Sequence, residues 1–161
     1  MKAIDMKKII VIISAALLLA ACNGYNSLPL FEDSYVYFNT AKSGFTNINE
    51  LGKSTTSYYI NYVGPMEEGE SIDVQFSVSA GDGLAEGVDY QMVTTENTLS
   101  FSPGVYSLGI HIRWLAHEID PDRDNTVTLR IEGCSKEGVI LGLPGPAAKD
   151  RSVTITKFKN E

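Results

Sequence analysis

The chain has 161 residues, 20 Asp plus Glu against 13 Lys plus Arg, a formal charge of −7, two cysteines and two histidines. An acidic surface repels nucleic acid and anionic headgroups, and no basic stripe with interleaved aromatics offsets it, so nucleic acid is excluded as a partner. The length suits one domain with a real core. With so few cysteines and histidines, neither a His-Glu-x-x-His helix nor a paired-cysteine zinc set occurs.

The first element is a basic pair, Lys7-Lys8, followed by an apolar run over residues 9–20. As a helix at 1.5 Å per residue, that run reaches about 18 Å, short of the roughly 30 Å of a bilayer core. It therefore reads as an export signal, and Met6 is as natural a start for it as Met1. Small residues and a cysteine close the run, Leu19-Ala20-Ala21-Cys22. This pattern resembles the lipobox of bacterial lipoproteins, which implies cleavage before Cys22 and lipid attachment at its thiol. Residues 1–21 are then a signal peptide, 22–33 a lipid anchor and tether, and 34–161 the folded domain. Two or three acyl chains anchor a protein stably where one does not. The expected location is the cell envelope, at the outer membrane, with the periplasmic and surface sides both open. Loss of Lys2, Lys7, Lys8 and Asp5 with the signal leaves the mature chain at −9.

After the tether the apolar residues recur with period two, the spacing of a strand with one dry face. Ile72, Val74, Phe76 and Val78 form one run; Leu108, Ile110, Ile112 and Trp114 a second; Val127, Leu129 and Ile131 a third. Shorter alternations lie at 35–39, 56–63, 98–101 and 152–157, separated by Gly, Pro, Asp and Asn turn formers. The pattern predicts about seven strands in an all-β, antiparallel sandwich, immunoglobulin-like in outline. Val36, Phe38, Tyr58, Ile60, Tyr62, Leu99, Phe101, Val153 and Ile155 complete the expected core. Cys134 reads as a small apolar residue at a strand end.

Gly87-Val88-Asp89-Tyr90, then Leu99-Ser100-Phe101-Ser102-Pro103-Gly104, then the alternating strand to Trp114, an acidic loop and a further strand, occur in that order. The series resembles a Calx-beta repeat. With the lipobox it is similar to small lipoproteins of uncharacterised function from Bacteroidetes, some of them encoded near glycan-uptake systems. The resemblance implies a Calx-beta-like sandwich, and in some such repeats an acidic loop that binds calcium.

Asp120, Asp122 and Asp124 hold offsets one, three and five of a calcium-loop register, but offset six is Asn125 and offset twelve is Ile131, which the strand pattern sends inward. No metal is therefore expected. Were calcium to bind, Asp120, Asp122 and Asp124 would be its ligands, with Asp89 and Glu86 as distant contributors. His111 and His117 are six residues apart, about 20 Å along an extended strand, and do not share a site unless the chain turns. Gly81-Asp82-Gly83 leads into a loop and offers no helix amides to a phosphate. The reading is therefore non-enzymatic: an accessory or protein-interaction module of the envelope, its partner an envelope protein. The alternative is a carbohydrate-binding lipoprotein associated with glycan uptake. Tyr59 and Phe158, which fall on the polar side of their strands, are the candidate sugar-stacking rings.

Overall fold

The computed structural model describes residues 33–159. The signal peptide, Cys22 and the tether up to residue 32 lie outside the described residues. All seven expected strands occur, together with three short ones. In chain order they are β1 (Tyr35–Phe38), β2 (Asn47–Asn49), β3 (Ser54–Val63), β4 (Ile72–Ala80), β5 (Tyr90–Met92), β6 (Thr98–Phe101), β7 (Ser107–Trp114), β8 (Thr126–Cys134), β9 (Ile140–Leu141) and β10 (Ser152–Phe158).

Two five-stranded sheets result, with orders β5-β7-β3-β1-β9 and β2-β10-β8-β4-β6. Every odd strand belongs to the first sheet and every even strand to the second, so among the described residues the chain crosses the sandwich at each connection and forms no hairpin. The antiparallel expectation needs correction. β9 pairs with β1 and β2 with β10 in parallel, making both sheets mixed. These pieces of two and three residues are too short for a periodic signal and join the sheet edges through long crossovers, the connection parallel pairing requires.

The dry faces meet in one core containing Val36, Phe38, Tyr58, Ile60, Tyr62, Ile72, Val74, Phe76, Ile110, Ile112, Trp114, Val127, Leu129 and Ile131. Val78 and Leu108, expected fully inside, are only partly buried near the sandwich ends. Tyr62 of the first sheet meets Phe101 of the second with ring centroids 6.3 Å apart. Burying each large apolar side chain contributes about 1.5–3 kcal/mol against chain entropy. The core's polar atoms form a relay: Trp114 Nε1 donates to Thr56 Oγ1 at 2.8 Å, Thr56 Oγ1 to Tyr58 OH at 3.1 Å, and Tyr58 OH to the Phe45 carbonyl at 2.8 Å. Burial pushes the Tyr58 phenol up, against hydrogen bonds from Thr56 and Trp114 that pull it down.

A bulge interrupts the β4–β8 ladder: Gln75 faces Gly133, but Phe76 faces Ile131, leaving Glu132 unopposed. The extra residue changes the phase of the strand. Val127, Leu129 and Ile131 point inward before it, and Cys134 packs against the core after it. Burial raises the Cys134 thiol, consistent with its reading as a small apolar residue.

Candidate functional site

Period two carries β10 inward at Val153 and Ile155, and the next inward position is Lys157. Its ammonium is fully buried and lies 2.9 Å from Asp89 Oδ1, itself almost inaccessible. Asp89 reaches this interior because Gly87, at φ +85°, turns the chain sharply before it. Tyr90, next in the motif, packs against Trp114 with ring centroids 6.1 Å apart. The carboxylate accepts two further bonds: Oδ1 also takes His117 Nδ1 at 3.0 Å, and Oδ2 accepts the Ala85 amide at 2.9 Å. Lys157 Nζ donates further to the Leu115 carbonyl at 3.0 Å. Burial pushes the Asp89 carboxyl up, but hydrogen bonds from Ala85, Lys157 and His117 outweigh it, and the net shift is downward.

Glu50 extends this polar junction. It is buried, its carbonyl accepts the His117 amide at 3.0 Å, and its Oε2 accepts the Ile119 amide at 3.1 Å. The segment after β7 is thus tied to β10, to the turn before β5 and to the residue after β2. The other histidine has a different environment: His111 Nδ1 lies 2.8 Å from Ser57 Oγ on the outer face of the first sheet. The two histidines therefore serve separate contacts.

The acidic loop is built from its own hydrogen bonds. Asp120 Oδ1 accepts the Asp122 amide at 3.1 Å, Asp124 Oδ1 accepts the Thr126 hydroxyl at 2.8 Å, and Asp82 Oδ1 accepts the Asp124 amide at 3.0 Å. Among the described residues, no three His, Cys, Asp or Glu side chains gather as a metal site. The glycines flanking Asp82 have a packing reason. A Cβ on Gly81 would fall 2.2 Å from the Asp124 carbonyl oxygen, and one on Gly83 2.2 Å from Asn125 Oδ1. The acidic loop passes where those side chains would be. Asn125 locks it there, donating to the Asp120 and Arg123 carbonyls at 2.7 and 3.0 Å.

The two candidate rings stand on opposite outer faces and form no common platform. Tyr59, on the first sheet, faces Gly109 across the ladder, and the Lys42 ammonium caps its ring at 4.4 Å from the centroid. A stacking sugar there must displace Lys42, which also donates to Ser107 Oγ. Phe158, on the second sheet, is 39% exposed and lines a cavity of about 380 Å³ with Pro121, Arg123, Asp124, Thr126 and Thr156. Sequence reasoning named Phe158 and Asp124 separately; the fold brings them to one cavity. It missed Lys157 and Glu50, although the phase of β10 marks position 157 as inward.

Residues 6–23 match the prokaryotic membrane lipoprotein lipid attachment site. The chain is a membrane-anchored bacterial lipoprotein. Its attachment point is the cysteine of the lipobox, and the sandwich is what that anchor holds at the membrane. Comparison with curated proteins returns no match to the lipoprotein.

Proposed function

We propose that this lipoprotein is a non-enzymatic accessory module of the cell envelope, tethered at the outer membrane and docking an envelope protein through the edge of its second sheet. The observation that carries the reading is the pair Phe45 and Leu51, 81% and 58% exposed, on either side of edge strand β2. Apolar side chains beside an edge strand suit a partner that adds an extended segment, its backbone pairing with β2 and its side chains covering the two residues. The ionisable groups nearest to a catalytic constellation, Asp89, His117 and Lys157, are engaged in holding loops together, which supports a structural role for them. A Calx-beta-like, immunoglobulin-like identity of the sandwich belongs to the same proposal; the Gly87 turn that sends Asp89 inward and the Gly104 turn at φ +89° support it. The test places a photo-crosslinking amino acid at position 45 or 51 of the full-length lipoprotein in cells. One discrete envelope-protein adduct, lost on Leu51→Asp or Phe45→Asp at the other position, is the expected result, and absence of any discrete adduct overturns it.

A second reading, carbohydrate binding linked to glycan uptake, is favoured by the cavity at Phe158, where a ring lies beside Arg123, Asp124 and two threonine hydroxyls. Titration calorimetry with neutral oligosaccharides tests it, with Phe158→Ala expected to weaken any binding at unchanged melting temperature.

A further inference from the structure

The first sheet is unlike the rest of this acidic molecule. None of its five strands contains an Asp or a Glu. Yet acids outnumber bases by seven over the whole chain. Two cations stand at one end of this acid-free sheet. Arg113 is on the outer face of β7, flanked across the ladder by Thr55 and Gln91, both uncharged. Lys53 immediately precedes β3. Both line a groove of about 330 Å³ together with Ser54, Thr55, Trp114 and Leu115.

Most other cations of the described residues are committed. Arg123, Arg130, Lys136 and Lys157 pair with carboxylates, Arg151 donates to the Ile131 carbonyl, and Lys42 caps Tyr59. Lys53 and Arg113 have no such partner among the described residues, although carboxylates are plentiful elsewhere. Two positive charges beside hydroxyls, in a concavity at the small-ligand end of the usual size range, fit an oxyanion. The guanidinium presents a planar fork to two oxygens, and the ammonium adds a point charge.

We propose that the groove between Lys53 and Arg113 binds a small ligand carrying a carboxylate or a sulfate. The charged group sits on Arg113 and Lys53, the Ser54 and Thr55 hydroxyls take neighbouring polar atoms, and Leu115 supplies an apolar wall. The site rests on Lys53 and Arg113 and the docking reading on Phe45 and Leu51, so its failure leaves the docking reading standing, and the reverse also holds.

The single tryptophan, Trp114, has its indole buried in the core, so binding at the groove is read by titration calorimetry. The purified lipidated protein in neutral detergent is titrated with sodium glucuronate and with sodium sulfate, the ionic strength held constant with chloride; glucose and an acidic peptide serve as comparisons. The expected result is a saturable heat of binding with at least one of the two anions and none with glucose. Which anion binds distinguishes a carboxylated from a sulfated source. Affinity falls roughly tenfold or more in Arg113→Gln and in Lys53→Gln, as loss of a charge-assisted hydrogen bond predicts, and is unchanged in Arg130→Gln. No saturable response to either anion, affinity left unchanged by either groove variant, or binding of the acidic peptide alone overturns the proposal.

Discussion

Lys157 and Asp89, 68 positions apart in the chain, meet at 2.9 Å where both side chains are closed to solvent. Each ion is desolvated, and further hydrogen bonds with Ala85, Leu115 and His117 help their attraction to offset that cost. Removing one partner strands a buried charge. Lys157→Met is therefore expected to destabilise the fold by about 3–5 kcal/mol, and Asp89→Leu by a similar amount. The double variant should lose less than the two losses added together. Chemical denaturation of all four proteins measures the coupling, and simple additivity would show that the pair does not act as a unit.

The same junction sets an acid limit. The Asp89 carboxyl titrates below its ordinary value in the folded chain, the outcome of hydrogen bonds from Ala85, Lys157 and His117 overcoming burial. A group with a depressed folded pKa binds its proton more readily when unfolded. Its stabilisation is present above the unfolded value of about 3.9 and is lost as pH falls through the folded value. Stability should drop on acidification below about pH 4, with a shallower acid limb in Asp89→Asn. Urea titrations across that range check it, and parallel limbs would assign acid sensitivity to other carboxylates.

Thr56 is the centre of the core's polar relay, accepting from Trp114 and donating to Tyr58. Thr56→Val keeps the shape but leaves the buried indole N–H without an acceptor, which costs about 1–3 kcal/mol. Thr56→Ser keeps the hydroxyl and should lose less. The urea midpoint, followed by the fluorescence of the single tryptophan, separates the two.

Calcium offers another test. The acidic loop closes on its own hydrogen bonds, and Asp89 is held by Lys157 and His117. The expected melting temperature is therefore the same in calcium and in chelator. A selective ion at a hundredfold its dissociation constant would stabilise the fold by about 2.7 kcal/mol. A rise of several degrees that disappears in Asp122→Asn would establish a site the carboxylates share.

Much of this architecture was legible in the chain. Ile110, Ile112 and Trp114 alternate so regularly that strand, face and core follow from period two alone. The sheet assignment was not legible, because alternation fixes a strand's faces and says nothing about its neighbours. Strict crossing between sheets also removes the hairpin turns that would reveal pairing. β2 and β9 left no trace, since parallel partners of two or three residues carry no periodicity. Of the candidate rings, Phe158 gained a cavity while Tyr59 gained a lysine cap, and neither neighbour is close in sequence. Lys157 is the instructive miss: its phase says inward, its charge says outward, and the decision rests with Asp89 on a distant turn.

The anchor gives the last prediction. Only a thiol at the lipobox can accept a diacylglycerol, and residues 6–23 carry the attachment-site pattern with Cys22 as its cysteine. Cys22→Ser should remain uncleaved, and cells fed a clickable fatty acid should label the natural protein and leave the variant dark. The sandwich should be unaffected, because its ten described strands and the core they bury are built without that position. Thermal melts of the two proteins in the same detergent should therefore coincide near the main transition. Equal labelling of both proteins would place the lipid elsewhere, whereas a lost label with a lowered melting temperature would mean that the anchor also supports the fold.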